Sequence, residues 1–174
     1  AQDLVQSTVQ NFGISEEAVE IARKNIQLVG AVLESTKELS DVLKILSSEE
    51  GEETINHALV LSYVVTALIK KSPSSIPYEG EILSMAAFFH DAYLDANQIR
   101  NEAKFIQGIM SKSHLNKADQ TSVAGHIDKM VEKITEWKMA PGDLSTIIAQ
   151  HHEKPDGSGF PKGLRADQIH ELSA

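Results

Sequence analysis

Apolar side chains recur at intervals of three and four residues along most of the chain, which is the period of an α-helix with one buried face. No segment alternates apolar and polar residues convincingly, as a half-buried β-strand would. The clearest repeats lie in residues 31–47 and 117–138, and the second has apolar residues at Val123, Ile127, Met130, Val131 and Ile134. This pattern predicts an all-α protein.

Glycine, proline and capping residues divide the pattern into separate helices. Ser15 is a candidate N-cap, and Gly30 is expected to end the helix that begins there. The segment Pro141-Gly142-Asp143 is expected to end the preceding helix and to cap the next one. The predicted helices span residues 15–29, 31–47, 53–70, 79–95, 98–112, 117–138 and 144–151, and a last short helix begins near Asp167.

The best domain boundary is the segment 47–52, which contains only serine, glutamate and glycine. Such a solvated stretch is typical of a connection between folded parts. Residues 1–46 are therefore predicted to be an N-terminal helical extension or the end of a regulatory module. Residues 47–174 are predicted to form the main domain, and a chain of 174 residues can bury a substantial core.

The composition restricts the chemistry. Cysteine is absent, so any metal must be held by His, Asp or Glu side chains. The formal net charge of −9 argues against a nucleic-acid binder, although bound cations would reverse the local field for a small anionic substrate. No apolar run approaches the ~20 residues that span a bilayer, and the N-terminus does not resemble a secretory signal. We expect a cytoplasmic protein.

Two upstream groups are candidate metal ligands. Glu53 and His57 are four residues apart and share one helix face; alternatively, the glutamate only interacts with the helix dipole. His90 and Asp91 lie in the apolar segment MAAFFHDAY, where a buried carboxylate needs a cation or several hydrogen-bond donors. A helix-terminal pair that is exposed to water is the alternative for these two residues.

The other histidines fall into two groups. His126 lies on an amphipathic helix, as a metal ligand or as a hydrogen-bonded residue at the edge of the core. His151 and His152 are adjacent, so their side chains differ by about 100° around a helix and could reach two metals, or a metal and a substrate phosphate. His114 and His170 stand in polar surroundings and are predicted to be surface residues.

A loop rich in glycine and proline, residues 153–163 (the GFP loop), follows the histidine pair directly. The order of all these groups, ending in HHEKPDGSGFPKGL, resembles the HD-GYP family of HD-superfamily metal phosphohydrolases over roughly residues 40–172. Phe160 stands where that family has the tyrosine of its GYP motif.

The resemblance implies an HD-domain helical bundle with a metal centre in its core. Family members hydrolyse cyclic di-GMP with a metal-bridging hydroxide at two divalent metals, or three when a glutamate such as Glu53 is present. Iron or manganese is the family expectation, and zinc would also suit these ligands. The implied metal ligands are Glu53, His57, His90, Asp91, His126, His151 and His152, with Asp91 bridging and catalytic, and the implied substrate contacts are Lys154, Asp156, Gly157 and Phe160.

Three departures from the family pattern bear on activity. Leu94 replaces a lysine that follows the His-Asp pair, and Phe160 lacks the tyrosine hydroxyl. A further aspartate ligand would lie beyond Ala174, which predicts a domain truncated at its C-terminus or an incomplete ligand shell. The segment between Asp91 and His126 also looks longer than usual.

Three functions are therefore open. The first is a phosphodiesterase that hydrolyses cyclic di-GMP. The second is a degenerate HD-GYP-like domain in bacterial signalling that binds a cyclic dinucleotide, or a partner protein through the GFP loop. The third is an HD phosphohydrolase that acts on another nucleotide.

Overall fold

The computed structural model describes residues 13–35, 61–62, 64–66, 68–69, 79–94, 98 and 117–173. Within these ranges the regular structure is helical and there is no strand, so the all-α prediction is confirmed. The chain divides into two compact units, Ala1–Phe89 and His90–Ala174. No helix in the described part is long and apolar enough to cross a bilayer.

The first helix among the described residues of the first unit is α1, Glu16–Ser35. Its start is as predicted, because the Ser15 hydroxyl accepts a hydrogen bond from the backbone N–H of Ala18 at 3.2 Å. Its end is not as predicted, because the helix continues through Gly30. A glycine inside a helix costs only about 1 kcal/mol, which the neighbouring helical turns can offset.

Helix α2, Glu79–Phe89, packs against α1 within this unit. Nearly all of its side chains from Ile82 onward are buried. The prediction that one helix over 79–95 would carry the His-Asp pair is wrong: α2 ends at Phe89, and His90–Tyr93 form turns. Residues 61–62, 64–66 and 68–69 are helical, in agreement with the helix predicted over 53–70.

The second unit contains α3, Lys117–Glu136, and α4, Leu144–Gln150, which pack against each other. The buried positions on α3 follow the helical period, so they form one stripe facing the core: Val123, His126, Ile127, Met130 and Ile134. On α4 the buried positions are Leu144, Ile147 and Ile148. Both helices were predicted with nearly these bounds.

Short elements complete the second unit. The 3₁₀ helices Ala166–Gln168 and Glu171–Ser173 follow the GFP loop, near the short helix predicted to begin at Asp167. Asp143 occupies the N-cap position of α4, but its side chain makes no capping hydrogen bond. The predicted helix 98–112 and the boundary at 47–52 lie outside the described residues, except for Gln98, which is helical.

Candidate metal centre

The candidate ligands of the second unit come from three places in the chain. His90 and Asp91 lie in the turn that follows α2, and His126 lies in the middle of α3. His151 is the C-cap residue of α4, and His152 follows it. Asp91 is 8% exposed and His126 1% exposed, so the centre of the group is shielded from water.

Asp91 lies close to the imidazole rings of this group. Its Oδ1 atom lies 3.7 Å from Nε2 of His126 and 4.0 Å from Nε2 of His151. These separations are too long for hydrogen bonds. Asp91, His126, His151 and His152 each offer one ligand atom, and the four atoms lie within 4.8 Å of one another.

Backbone carbonyls fix the tautomers of two imidazoles. Nδ1 of His151 lies 2.6 Å from the carbonyl oxygen of Ile148, and Nδ1 of His126 lies 3.2 Å from that of Val123. A carbonyl only accepts, so each Nδ1 carries the proton and donates it. In the neutral rings, each Nε2 then presents a lone pair toward Asp91, which is the orientation that metal-ligating histidines adopt.

Burial keeps these imidazoles neutral. It lowers the pKa of His151 to about 3 and that of His152 to about 2, helped by repulsion from neighbouring histidines. It also lowers the pKa of His126, against the attraction of Asp91. Burial would raise the pKa of Asp91, but the neighbouring His90, which also forms a hydrogen bond with the carboxylate, holds that pKa well below its usual range. A carboxylate and three neutral imidazoles are the protonation states that a divalent metal requires.

The four residues fit a metal ion. Ligands at 2.0–2.2 Å from one ion lie at most ~4.4 Å apart, close to the span of this group. The buried Nε2 atom of His151 has no hydrogen-bond partner among the described residues, a costly arrangement that coordination would relieve. Nitrogen and carboxylate ligands suit zinc, iron or manganese, and the donor set does not choose among them.

The remaining predicted ligands are not members of this four-residue group. His90 lies beside the group rather than in it, with its Nε2 atom 3.1 Å from Oδ2 of Asp91 and its ring centroid 5.3 Å from that of His151. Its role as a ligand stays a prediction. Glu53 and His57 lie outside the described residues.

The GFP loop folds back onto the histidine pair. The Phe160 ring stacks on His152 with centroids 4.6 Å apart and planes at 26°, and the backbone N–H of Phe160 donates to the carbonyl of His152. Of the other predicted substrate contacts, Lys154 and Asp156 are exposed, and the Asp156 carboxylate accepts two hydrogen bonds from Ser158. Gly157 adopts a left-handed conformation with φ of +82°.

Two residues have roles that the sequence analysis did not assign. Glu153 is buried, and its two carboxylate oxygens accept the backbone N–H groups of Lys162 and Leu164 at 2.7 and 2.8 Å. Its place beside the histidine pair and before a tight loop was the available signal. His170, predicted to be a surface residue, is half-buried, and its backbone N–H donates to the side chain of Gln150 at 2.7 Å.

Comparison with known proteins adds one match. A family model of the HD domain matches residues 104–173, which contain His126, His151 and His152 but not His90 and Asp91. The match supports membership of this segment in the HD superfamily, whose domains are generally metal-dependent hydrolases. The searches of curated proteins and of solved structures found no match. The four-residue cluster agrees with this match, because it offers the His and Asp side chains that could hold a metal ion.

Proposed function

We propose that this protein is a metal-dependent phosphodiesterase that hydrolyses cyclic di-GMP. The observation that carries the proposal is the convergence of Asp91, His126, His151 and His152 on one buried point. The choice of substrate rests on the resemblance of the segment HHEKPDGSGFPKGL to the HD-GYP family.

The chain's own residues would prepare the site for the metal. The carbonyls of Val123 and Ile148 hold two imidazoles with Nε2 directed inward, and Asp91 supplies negative charge between them. Bound divalent ions would supply Lewis-acid chemistry, making a water nucleophilic near neutral pH and stabilising charge on a phosphate. We propose iron or manganese, two or three ions in number, with Glu53, His57 and His90 as further ligands.

The GFP loop would form one wall of the substrate site. Phe160 presents an aromatic ring beside His152, and a purine base could stack on an aromatic face of this kind. Lys154 is exposed on the same loop and could meet a phosphate oxygen. We propose both residues, with Asp156 and Gly157, as substrate contacts.

A second function is favoured by Leu94. This residue takes the place of a lysine expected to contact substrate, and its side chain is fully buried in the protein interior. A buried leucine offers no charge to a phosphate. A domain that keeps the metal ligands and lacks this lysine could bind a cyclic dinucleotide, or a signalling protein through the GFP loop, without turning the nucleotide over.

Metal analysis combined with a turnover assay separates these functions. The protein should be purified anaerobically, analysed for iron, manganese and zinc, and incubated with cyclic di-GMP while linear products are followed by chromatography. Bound metal with turnover that is lost in Asp91→Asn supports the phosphodiesterase, because the variant also excludes a contaminating enzyme.

The other outcomes are equally informative. Bound metal and saturable nucleotide binding without turnover would favour the degenerate module. Turnover of another nucleotide, but not of cyclic di-GMP, would favour a different HD phosphohydrolase. Absence of metal from freshly prepared and metal-supplemented protein would refute the ligand assignment.

A further inference from the structure

We infer that Glu153 is a positioning residue, which holds the GFP loop in the conformation that fixes the His152 imidazole beside the other metal ligands. The inference rests on the proposed metal centre and names a residue that acts on it through the loop. Glu153 itself is not a member of the four-residue ligand group.

The first observation is that the Glu153 carboxylate faces the loop rather than the ligands. One oxygen accepts the N–H of Lys162 at 2.7 Å, and the other accepts the N–H of Leu164 at 2.8 Å. A carboxylate that accepts backbone N–H groups forms charge-assisted hydrogen bonds, which are stronger than those between neutral groups. Glu153 is 7% exposed, so water competes weakly for these bonds. They connect the beginning of the loop to its end.

The second observation is that the loop has little room to shift toward the chain it packs on. A Cβ atom at Gly159 would overlap the backbone of His152, Glu153 and Lys154, so the loop lies directly on the main chain of the ligand-bearing segment. The N–H of Phe160 donates to the carbonyl of His152 at 3.1 Å. This contact places the Phe160 side chain over His152.

The third observation is the consequence for the ligand. The Phe160 ring covers one face of the His152 imidazole, and the His151 ring lies against it with centroids 3.8 Å apart. His152 therefore lies between an adjacent ligand and a ring that Glu153 holds through the loop. If the carboxylate is lost, Phe160 loses its fixed position and the His152 ring gains rotational freedom, which weakens metal binding.

The test uses Glu153→Gln in the whole chain. Glutamine has nearly the same shape, but its amide nitrogen cannot accept an N–H, so one of the two loop hydrogen bonds is lost. In metal-free protein we expect faster hydrogen exchange at the Lys162 or Leu164 amide. Titration with Mn²⁺ should then show about a 10–100-fold loss of affinity, the usual effect of changing a residue that orients a ligand.

Two controls complete the experiment. Glu171→Gln makes the same change at an exposed carboxylate and should leave both readouts as in the unmodified protein. If Glu153→Gln does not fold, Phe160→Leu tests the same path, because it removes the stacked ring and keeps an apolar side chain. Phe160→Tyr restores an aromatic ring and should restore most of the Mn²⁺ affinity that Phe160→Leu loses.

The outcomes separate this inference from the proposed function. Unchanged Mn²⁺ affinity in Glu153→Gln, or in Phe160→Leu where that variant replaces it, would overturn the positioning role while leaving the metal centre intact. If the unmodified protein binds no Mn²⁺, Fe²⁺ or Zn²⁺, the metal centre and the inference built on it both fail. Unchanged amide exchange in a folded Glu153→Gln protein would overturn the inference irrespective of metal.

Discussion

The Oδ1 atom of Asp91 lies 3.7 Å from Nε2 of His126, in a region where both side chains are almost completely shielded from water. The distance is too long for a hydrogen bond and compatible with two ligands of one metal ion. The Nδ1 proton of His126 is directed to a backbone carbonyl, so the lone pair of its neutral ring faces the carboxylate. A cation between them could be coordinated by both the Asp91 carboxylate and the Nε2 atom of His126.

Asp91→Asn is expected to remove most of the metal from the protein. The change keeps the shape of the side chain and removes the negative charge that lies closest to the imidazoles. We expect at least a tenfold loss of Mn²⁺ affinity, measured by calorimetric titration. Asp128→Asn is the matched control, because Asp128 is exposed on the same helix as His126. Equal affinity of the two variants would contradict the central position of Asp91.

Divalent metal is expected to stabilise the protein against unfolding. A ligand that binds only the folded state adds about 2.7 kcal/mol when its free concentration is 100 times its Kd. Thermal unfolding should therefore shift upward with added Mn²⁺ and return after chelation. The shift should be clearly smaller in Asp91→Asn at the same Mn²⁺ concentration, and a shift of equal size there would mean that the metal binds elsewhere.

The metal-free protein is expected to lose stability as the pH falls from 7 to about 4.5. The pKa values of His151 and His152 are about 3 and 2 in the folded protein, below the ordinary value of 6.5. Over this window the unfolded chain binds protons that the folded protein does not, so acid favours unfolding. Each histidine contributes up to ~1.4 kcal/mol per pH unit to the slope. Urea unfolding at several pH values measures it, and a slope unchanged by His152→Gln would contradict the prediction.

Ile148→Ala is expected to destabilise the protein by about 2–5 kcal/mol, the usual cost of deleting a fully buried aliphatic side chain. Ile148 is completely buried on α4, one turn before the histidine pair. Met139→Ala should change the free energy of unfolding by less than about 0.5 kcal/mol, because Met139 is 81% exposed. Denaturant unfolding of both variants provides the test, and equal losses would contradict the assigned core.

Gly159→Ala is expected to displace the GFP loop. A methyl group at this position would overlap backbone atoms of three consecutive residues, 152–154, which cannot rotate away as a flexible side chain could. We expect loss of the Phe160 stacking on His152 and weaker Mn²⁺ binding. Gly142→Ala is the control, since a Cβ atom there meets nothing within 4 Å. Equal metal affinity in the two variants would show that the loop tolerates the added group.

Local sequence signals predicted much of the second unit. The spacing of Val123, Ile127, Met130 and Ile134 is enough to place α3 and its buried face, and His126 falls on that face by the same period. The break at Pro141-Gly142 likewise follows from backbone chemistry. Helical periodicity and chain breaks depend on near neighbours, so they can be read from one segment at a time.

Other features depend on contacts between distant segments. The end of α2 at Phe89 places the His-Asp pair in a turn instead of a helix, with the Nε2 atom of His90 3.1 Å from Oδ2 of Asp91. Likewise, α1 continues through Gly30, although a glycine was expected to end the helix there. The helix preference of one residue is small, about 1 kcal/mol for a glycine, so it does not by itself determine where a helix ends.

Glu153 shows most clearly the difference between what the sequence determines and what depends on the tertiary structure. The sequence alone places an acidic residue after two histidines and before a loop that glycine and proline constrain. That position indicates a special role for the residue, but it does not say whether the carboxylate faces a metal or, as in the structure, the backbone N–H groups of Lys162 and Leu164. That choice depends on where the loop returns in space, and a buried carboxylate takes the partners that the folded backbone brings within reach. Residue types determine which chemistry is possible, and the fold determines which atoms meet.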